Sequence, residues 1–247
     1  MRQILYILMI FSTLPALAED KLFPTATKVD IYGWSENGQN FAYSTEGIES
    51  EATYSAEGGI FVVNAVSKKH AFRFERFIGE GSKKDIEVFN RDFSKNKKKM
   101  RKRYAPFIKG RVALHKKMGA HLNYIQYVKT FGVKKFKFKN NGFSYSVRSS
   151  IQTNIPKKEK PCIYANCNSN RVRVYLQKGN KSQSISLSSA DNLIYTEKEY
   201  RTHYFDNSMI YASISPNGKH IAVIIEIISN GFEGAKTFDY QGFIANL

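Results

Sequence analysis

The chain of 247 residues holds two cysteines, one tryptophan and six prolines. Its sixteen glycines follow no Gly-X-Y period, which excludes a collagen-like rod. No heptad repeat is present, so a long coiled coil is excluded too. Acids are scarce: 21 Asp and Glu stand against 38 Lys and Arg, a formal net charge of +17. Past Leu14 no apolar run approaches the ~20 residues of a membrane-spanning helix. Catalytic signatures are also missing. The histidines (His70, His115, His121, His203, His220) form no His-Glu-x-x-His pair. Gly33-Trp34-Ser35-Glu36-Asn37 lacks the last glycine of a nucleophile elbow. No phosphate-binding loop or dinucleotide fingerprint occurs, so neither cofactor nor metal is expected. A content of 42% hydrophobic and 14% aromatic residues does exclude a disordered chain.

What is present begins with an address. Arg2 supplies a positive start, Ile4 to Leu14 an apolar run, Pro15 a break, and Ala16-Leu17-Ala18 a small-residue cleavage site. That is the order of a secretory signal peptide. The expectation is a leader over 1–18, cleavage after Ala18, and a single periplasmic or secreted β-rich domain over 19–247. The cysteines agree with export. Cys162 and Cys167 enclose a short loop without nearby histidine, and four residues separate them rather than the two of a redox dithiol. A structural disulfide is expected, stabilising by roughly 2 kcal/mol on the chain-entropy argument.

The charge is concentrated. Between Asn90 and Lys160, 21 Lys or Arg face only Asp92 and Glu159, a surplus of 19 positive charges. Setting that surplus and the leader's Arg2 aside leaves the rest of the chain at −3. The densest stretch contains Lys97, Lys98, Lys99, Arg101, Lys102 and Arg103. Such a cluster attracts polyanions across a Debye length. For an exported protein these are anionic lipid, lipopolysaccharide phosphates, acidic glycans and extracellular DNA. A solvated helix face accounts for the same residues without any ligand.

Hydrophobic periodicity predicts strands on either side of a helical insertion. Val29–Ser35 and Phe41–Ser44 flank the turn Glu36-Asn37-Gly38, and Gly47–Gly58 reads as a polar loop. Ile60–Asn64 is a continuous apolar strand of the kind buried on both faces, and another strand starts at Ala71. From about 85 to 131 apolar residues recur at three and four, broken by Pro106, Gly110 and Gly119, which predicts two or three short helices. Lys135–Lys139 then alternates strictly, turns at Asn140-Asn141-Gly142, and alternates back through Val147. Phe136 and Phe138 are assigned to the core and the lysines to the opposite face. That leaves no aromatic platform beside the lysines and makes nucleic acid the less favoured partner. Val172, Val174 and Leu176 point inward, and strands over 209–215, 221–228 and 240–247 follow.

One motif occurs twice. Ser35-Glu36-Asn37-Gly38 and Ser215-Pro216-Asn217-Gly218 share Ser-x-Asn-Gly, each followed two residues later by an apolar residue and alanine. It resembles the Ser-Pro-Asp-Gly hairpin in the blades of TolB-type β-propellers. The fold class expected is therefore mainly β with a helical insertion, with blade-like hairpins near both chain ends. Together with the leader and Gly231-Phe232-Glu233-Gly234, the order of elements resembles domain of unknown function family 2259, a group of secreted bacterial proteins. Asn37 and Asn217 stand where that pattern has Asp, and Ala235-Lys236 where Pro-Asp often follows. The resemblance implies export and supplies no activity.

Two classes of function follow. One is a non-enzymatic exported protein that binds an anionic envelope ligand through the basic helix. The other is an envelope hydrolase with a site assembled from distant residues, in which Glu233 is the acid of interest. A scaffold for another envelope protein is a third.

Overall fold

The computed structural model describes residues 28–49, 54–116, 133–152, 167–179, 181–185, 193–197, 206–230 and 236–247. Residues 1–18, expected to be a leader, Cys162 and the Gly231–Gly234 motif lie outside the described residues, as does the side chain of Cys167. The described chain is mainly β: three antiparallel sheets and one helix.

The first sheet has the order β4-β3-β2-β1-β5, from β1 (Lys28–Ser35), β2 (Asn40–Glu49), β3 (Tyr54–Asn64), β4 (His70–Gly81) and β5 (Phe107–Ile108). The second has the order β14-β13-β12-β6, from β6 (Arg111–His115), β12 (Asp206–Ile214), β13 (His220–Asn230) and β14 (Lys236–Asn246). The third runs β10-β9-β8-β7, from β7 (Lys135–Asn140), β8 (Phe143–Gln152), β9 (Cys167–Lys178) and β10 (Lys181–Ile185). The short β11 (Leu193–Glu197) also pairs with β9.

Side-chain alternation explains how these sheets stack. In β3, Phe61 and Val63 face the second sheet, while Ile60 and Val62 face helix α1 (Lys83–Tyr104). The second sheet is buried on both sides. Ala222 and Ile224 meet Trp34, Phe41 and Tyr43 of the first sheet. Ile221, Val223 and Ile225 meet Val147, Val172 and Val174 of the third. The layers thus run α1, first sheet, second sheet, third sheet. The continuous apolar runs at 60–63 and 221–225 exist because those strands have no wet face.

Helix α1 is strongly specified at its ends. Ser82 caps it in a reciprocal box with Asp85, whose carboxyl those Ser82 hydrogen bonds hold below the usual aspartate range. Phe89, Phe93 and Met100 bury one face against the first sheet. Arg101, Lys102 and Arg103 complete the last turn, where positive charge complements the helix dipole.

Two sequence expectations need correction. The insertion expected to be helical over about 85–131 is helical only to Tyr104 among the described residues. Pro106 disfavours helical backbone at Ala105, and Gly110 adopts a φ of +68°, so the chain leaves the helix and crosses between sheets. Phe107–Ile108 pairs with β1 and Arg111–His115 with β12, as strands. Residues 117–132 lie outside the described set. The polar loop expected over 47–58 is also shorter. Pairing of β2 with β3 continues to Glu49 and Ser55, with Ile48 opposite Ala56, which is buried in the core under the helix.

Candidate functional site

The repeated Ser-x-Asn-Gly turns are built identically. Ser35 Oγ donates to Asn37 Oδ1 at 2.7 Å, Gln39 N donates to the same oxygen at 3.0 Å, and Asn40 N donates to Ser35 Oγ at 3.0 Å. In the second copy Ser215 Oγ donates to Asn217 Oδ1 at 2.7 Å, Lys219 N to that oxygen at 3.0 Å, and His220 N to Ser215 Oγ at 2.9 Å. Asparagine serves here in place of aspartate for a physical reason. Its oxygen organises its own turn, and its amide is free to donate elsewhere. Asn217 Nδ2 donates to Asn37 O of the first sheet at 2.7 Å. Gly38 has no Cβ, and one placed there would stand 2.8 Å from Asn217 Nδ2.

The third sheet joins through the same chemistry. Asn140 Nδ2 donates to Gly218 O at 2.8 Å, and Arg111 Nη2 donates to Asn140 Oδ1 at 2.7 Å. Turns that are far apart in sequence thereby stitch all three sheets along one edge. Asn37, Gly38, Asn217 and Gly218 are structural. Asn217→Ala should destabilise the protein by about 1 kcal/mol more than Asn37→Ala, because only Asn217 loses a bond between sheets. Urea unfolding of both variants checks this, and equal losses would refute it.

His220 lies behind the second turn, stacked on Trp34 with centroids 6.4 Å apart. Its Nδ1 meets Asn246 Oδ1 at 3.1 Å. Burial pushes its pKa below the usual histidine value; the Asn246 contact opposes this and the Lys219 and Lys68 charges add to it. The unfolded chain therefore takes up a proton near pH 6.5 that the native state refuses. The stability is complete above that pH and falls as pH drops below it. His220→Gln should flatten the acid limb between about pH 7 and 5 in pH-dependent urea melts. An unchanged limb would count against the assignment.

The basic helix is where the sequence placed its candidate ligand surface, and its six residues have divided roles. Lys97 Nζ pairs with Asp30 Oδ2 at 3.0 Å and lies 5.5 Å from the Tyr32 ring centroid. Burial drives Lys97 toward the neutral form, and the hydrogen bonds of Tyr32 and Asp30 more than reverse this, so its pKa is raised. Burial likewise pushes Asp30 up, and Lys97 with Lys28 brings it below the ordinary aspartate value. Arg101 stands over the same Tyr32 ring at 5.3 Å and Arg103 over Tyr104 at 5.3 Å. Lys97 and Arg101 tie the helix to Asp30 and Tyr32 of β1, whereas Arg103 lies over Tyr104 of the helix itself and, like Arg101, is exposed.

Lys98, Lys99 and Lys102 are exposed. The helical repeat aligns Arg91, Lys95, Lys98 and Lys102 on the side away from Phe89, Phe93 and Met100. Arg91 and Lys95 belong to this surface, and the run of adjacent bases concealed their alignment. Lys95, Lys98 and Lys102 make no ion pair among the described residues.

Similarity to known proteins adds nothing to this geometry. No family model, curated protein or solved structure matches the chain. Among the described residues no helix is long and apolar enough to cross a membrane. Within the same residues, no three His, Cys, Asp or Glu side chains converge as metal ligands.

Proposed function

We propose that the protein is an exported, non-enzymatic binder of an anionic envelope ligand, which it meets with the outward face of α1. The observation that carries this reading is the exposed stripe of Lys95, Lys98 and Lys102, which form no ion pair among the described residues. The opposite face is fixed by Phe89, Phe93 and Met100, so the charges are presented on a rigid support. Export is read from the Arg2 to Ala18 leader, and the disulfide between Cys162 and Cys167 belongs to the same setting. We read the three antiparallel sheets as blade-like, supported by their face-to-face stacking and the shared Ser-x-Asn-Gly turns. The resemblance to family 2259 belongs to this proposal and adds only an exported setting.

The test is sedimentation of exported protein with anionic and zwitterionic vesicles at low and high salt. The expected intact mass begins at Glu19. Lys95→Gln, Lys98→Gln and Lys102→Gln together should weaken binding to anionic vesicles by about tenfold or more at low salt, since each charge near such a surface contributes about 1 kcal/mol. Undiminished binding by this variant, or none by the unmodified protein, would refute the helix reading. A retained leader would refute export.

A further inference from the structure

We propose a second binding surface, distinct from the helix: the outer face of the third sheet, which takes an acidic glycan. In β7 to β9 alternate residues turn away from the core. Phe136, Phe138, Tyr145, Val147, Val172 and Val174 pack inward. Lys135, Lys137, Lys139 and Arg148 are exposed on the other side, with Arg173 half-buried among them. Strand pairing fixes their layout. Lys135 lies opposite Arg148, and Arg148 opposite Tyr175, so cation, cation and aromatic form a row across the sheet. Lys137 lies opposite Ser146, and Ser150 opposite Arg173. Successive lysines of β7 are about 6.8 Å apart and neighbouring strands about 4.8 Å.

None of these five cations forms an ion pair among the described residues. No Asp or Glu occurs in β7, β8, β9 or β10. The fifth strand of this sheet, β11, brings a single acid, Glu197, at the register position opposite Cys167, six residues along β9 from Arg173. Edge lysines are a general guard against unwanted strand pairing, and that accounts for β7. It does not account for Arg148 and Arg173, which lie on interior strands where no edge needs guarding.

The groups between the cations select the ligand class. Ser144, Ser146, Ser150 and Gln177 offer neutral hydrogen bonds beside the charges. A glycan bearing carboxylates presents the matching alternation of anions and hydroxyls. A single-stranded nucleic acid needs free aromatic platforms. Here Arg148 stands 4.6 Å from the Tyr175 ring centroid, and Phe136 and Phe138 face the core. A bilayer gains from apolar side chains that enter it, and the one aromatic in this row, Tyr175, is covered by Arg148.

The experiment compares polygalacturonate with neutral dextran, anionic vesicles and an oligothymidylate as probes of the exported protein. One variant carries K135Q, K137Q, R148Q and R173Q; a smaller one carries K135Q and R148Q alone, in case the first fails to fold. The helix variant K95Q/K98Q/K102Q is the control. Polygalacturonate should bind in a salt-sensitive manner, and the four-site variant should bind about tenfold or more weakly at low salt. The smaller variant should show a lesser loss, and the helix variant should bind as the unmodified protein does. No polygalacturonate binding, equal binding by the sheet variants, or a preference of this face for vesicles or oligothymidylate would overturn the proposal. Loss in the helix variant alone would overturn it while leaving the helix reading intact.

Discussion

Replacing Trp34 with alanine is expected to cost the folded state about 3–5 kcal/mol, the range for large aromatic truncations in a packed core. Trp34 is fully buried between the first and second sheets. Its ring meets Phe41 edge-on at 5.1 Å, and its Nε1 donates to Ser213 Oγ at 2.8 Å. The substitution therefore opens a cavity and removes a buried hydrogen bond at the same time, leaving Ser213 with Tyr211 as its side-chain partner. Trp34→Phe should cost less, since it keeps most of the volume and loses the hydrogen bond. Urea unfolding checks both, with an unchanged dependence on denaturant expected. A loss under about 1 kcal/mol for the alanine variant would mean that the two sheets repack freely, contrary to the close packing of interiors.

Gly110→Ala should be comparably severe, at about 3 kcal/mol or more. Gly110 lies between β5 and β6, where the chain passes from the first sheet to the second. Its φ is +68°, which costs an L-residue about 1–2 kcal/mol. A Cβ there would stand 2.3 Å from Ile214 O and 2.8 Å from Trp34 Cδ1. The carbonyl belongs to a paired strand and cannot retreat without breaking the β6–β12 ladder. Thermal melting is the direct readout. Near-native stability would show that the crossing shifts as a unit. Gly142→Ala is the control: its φ is +78°, yet nothing lies within 4 Å of the added carbon, so only the backbone cost applies.

These effects also show what the sequence made legible. The hairpin around Asn140-Asn141-Gly142 follows from alternation and turn chemistry alone, while its register, with Asn140 opposite Phe143, comes from the structure. The run from Ile60 announces a strand with two dry faces, and the structure gives Ile221–Ile225 the same environment. The segment at 107–115 was misread because Phe107, Ile108 and Leu114 fit a helical spacing over a short window, where period alone cannot arbitrate. The partner strands β1 and β12 that settle it lie far away in sequence.

The candidate site was legible only as a charge run. Sorting Lys97 from Lys98 requires knowing that Asp30 and Tyr32 lie beneath the helix. The basic face of the third sheet was half visible. Strict alternation puts the lysines of β7 on one face, while the pairing of Lys135 with Arg148 comes from the register of β7 with β8. The contribution of Arg173 depends on β8 meeting β9 across a long connection, which no local pattern encodes.

The middle layer of the stack has a bearing on the order in which the molecule comes into being. The second sheet draws β6 from the middle of the chain and β12, β13 and β14 from residues after 205. Both the first and the third sheets precede those strands, and each has an apolar face that, among the described residues, packs on the second sheet. A chain emerging from its N-terminus has to carry two uncovered greasy surfaces until β14 is released. Such distant pairings make folding slow and leave early intermediates prone to aggregation. Under the proposed export this delay is an asset, because the core cannot close while the chain is still threading.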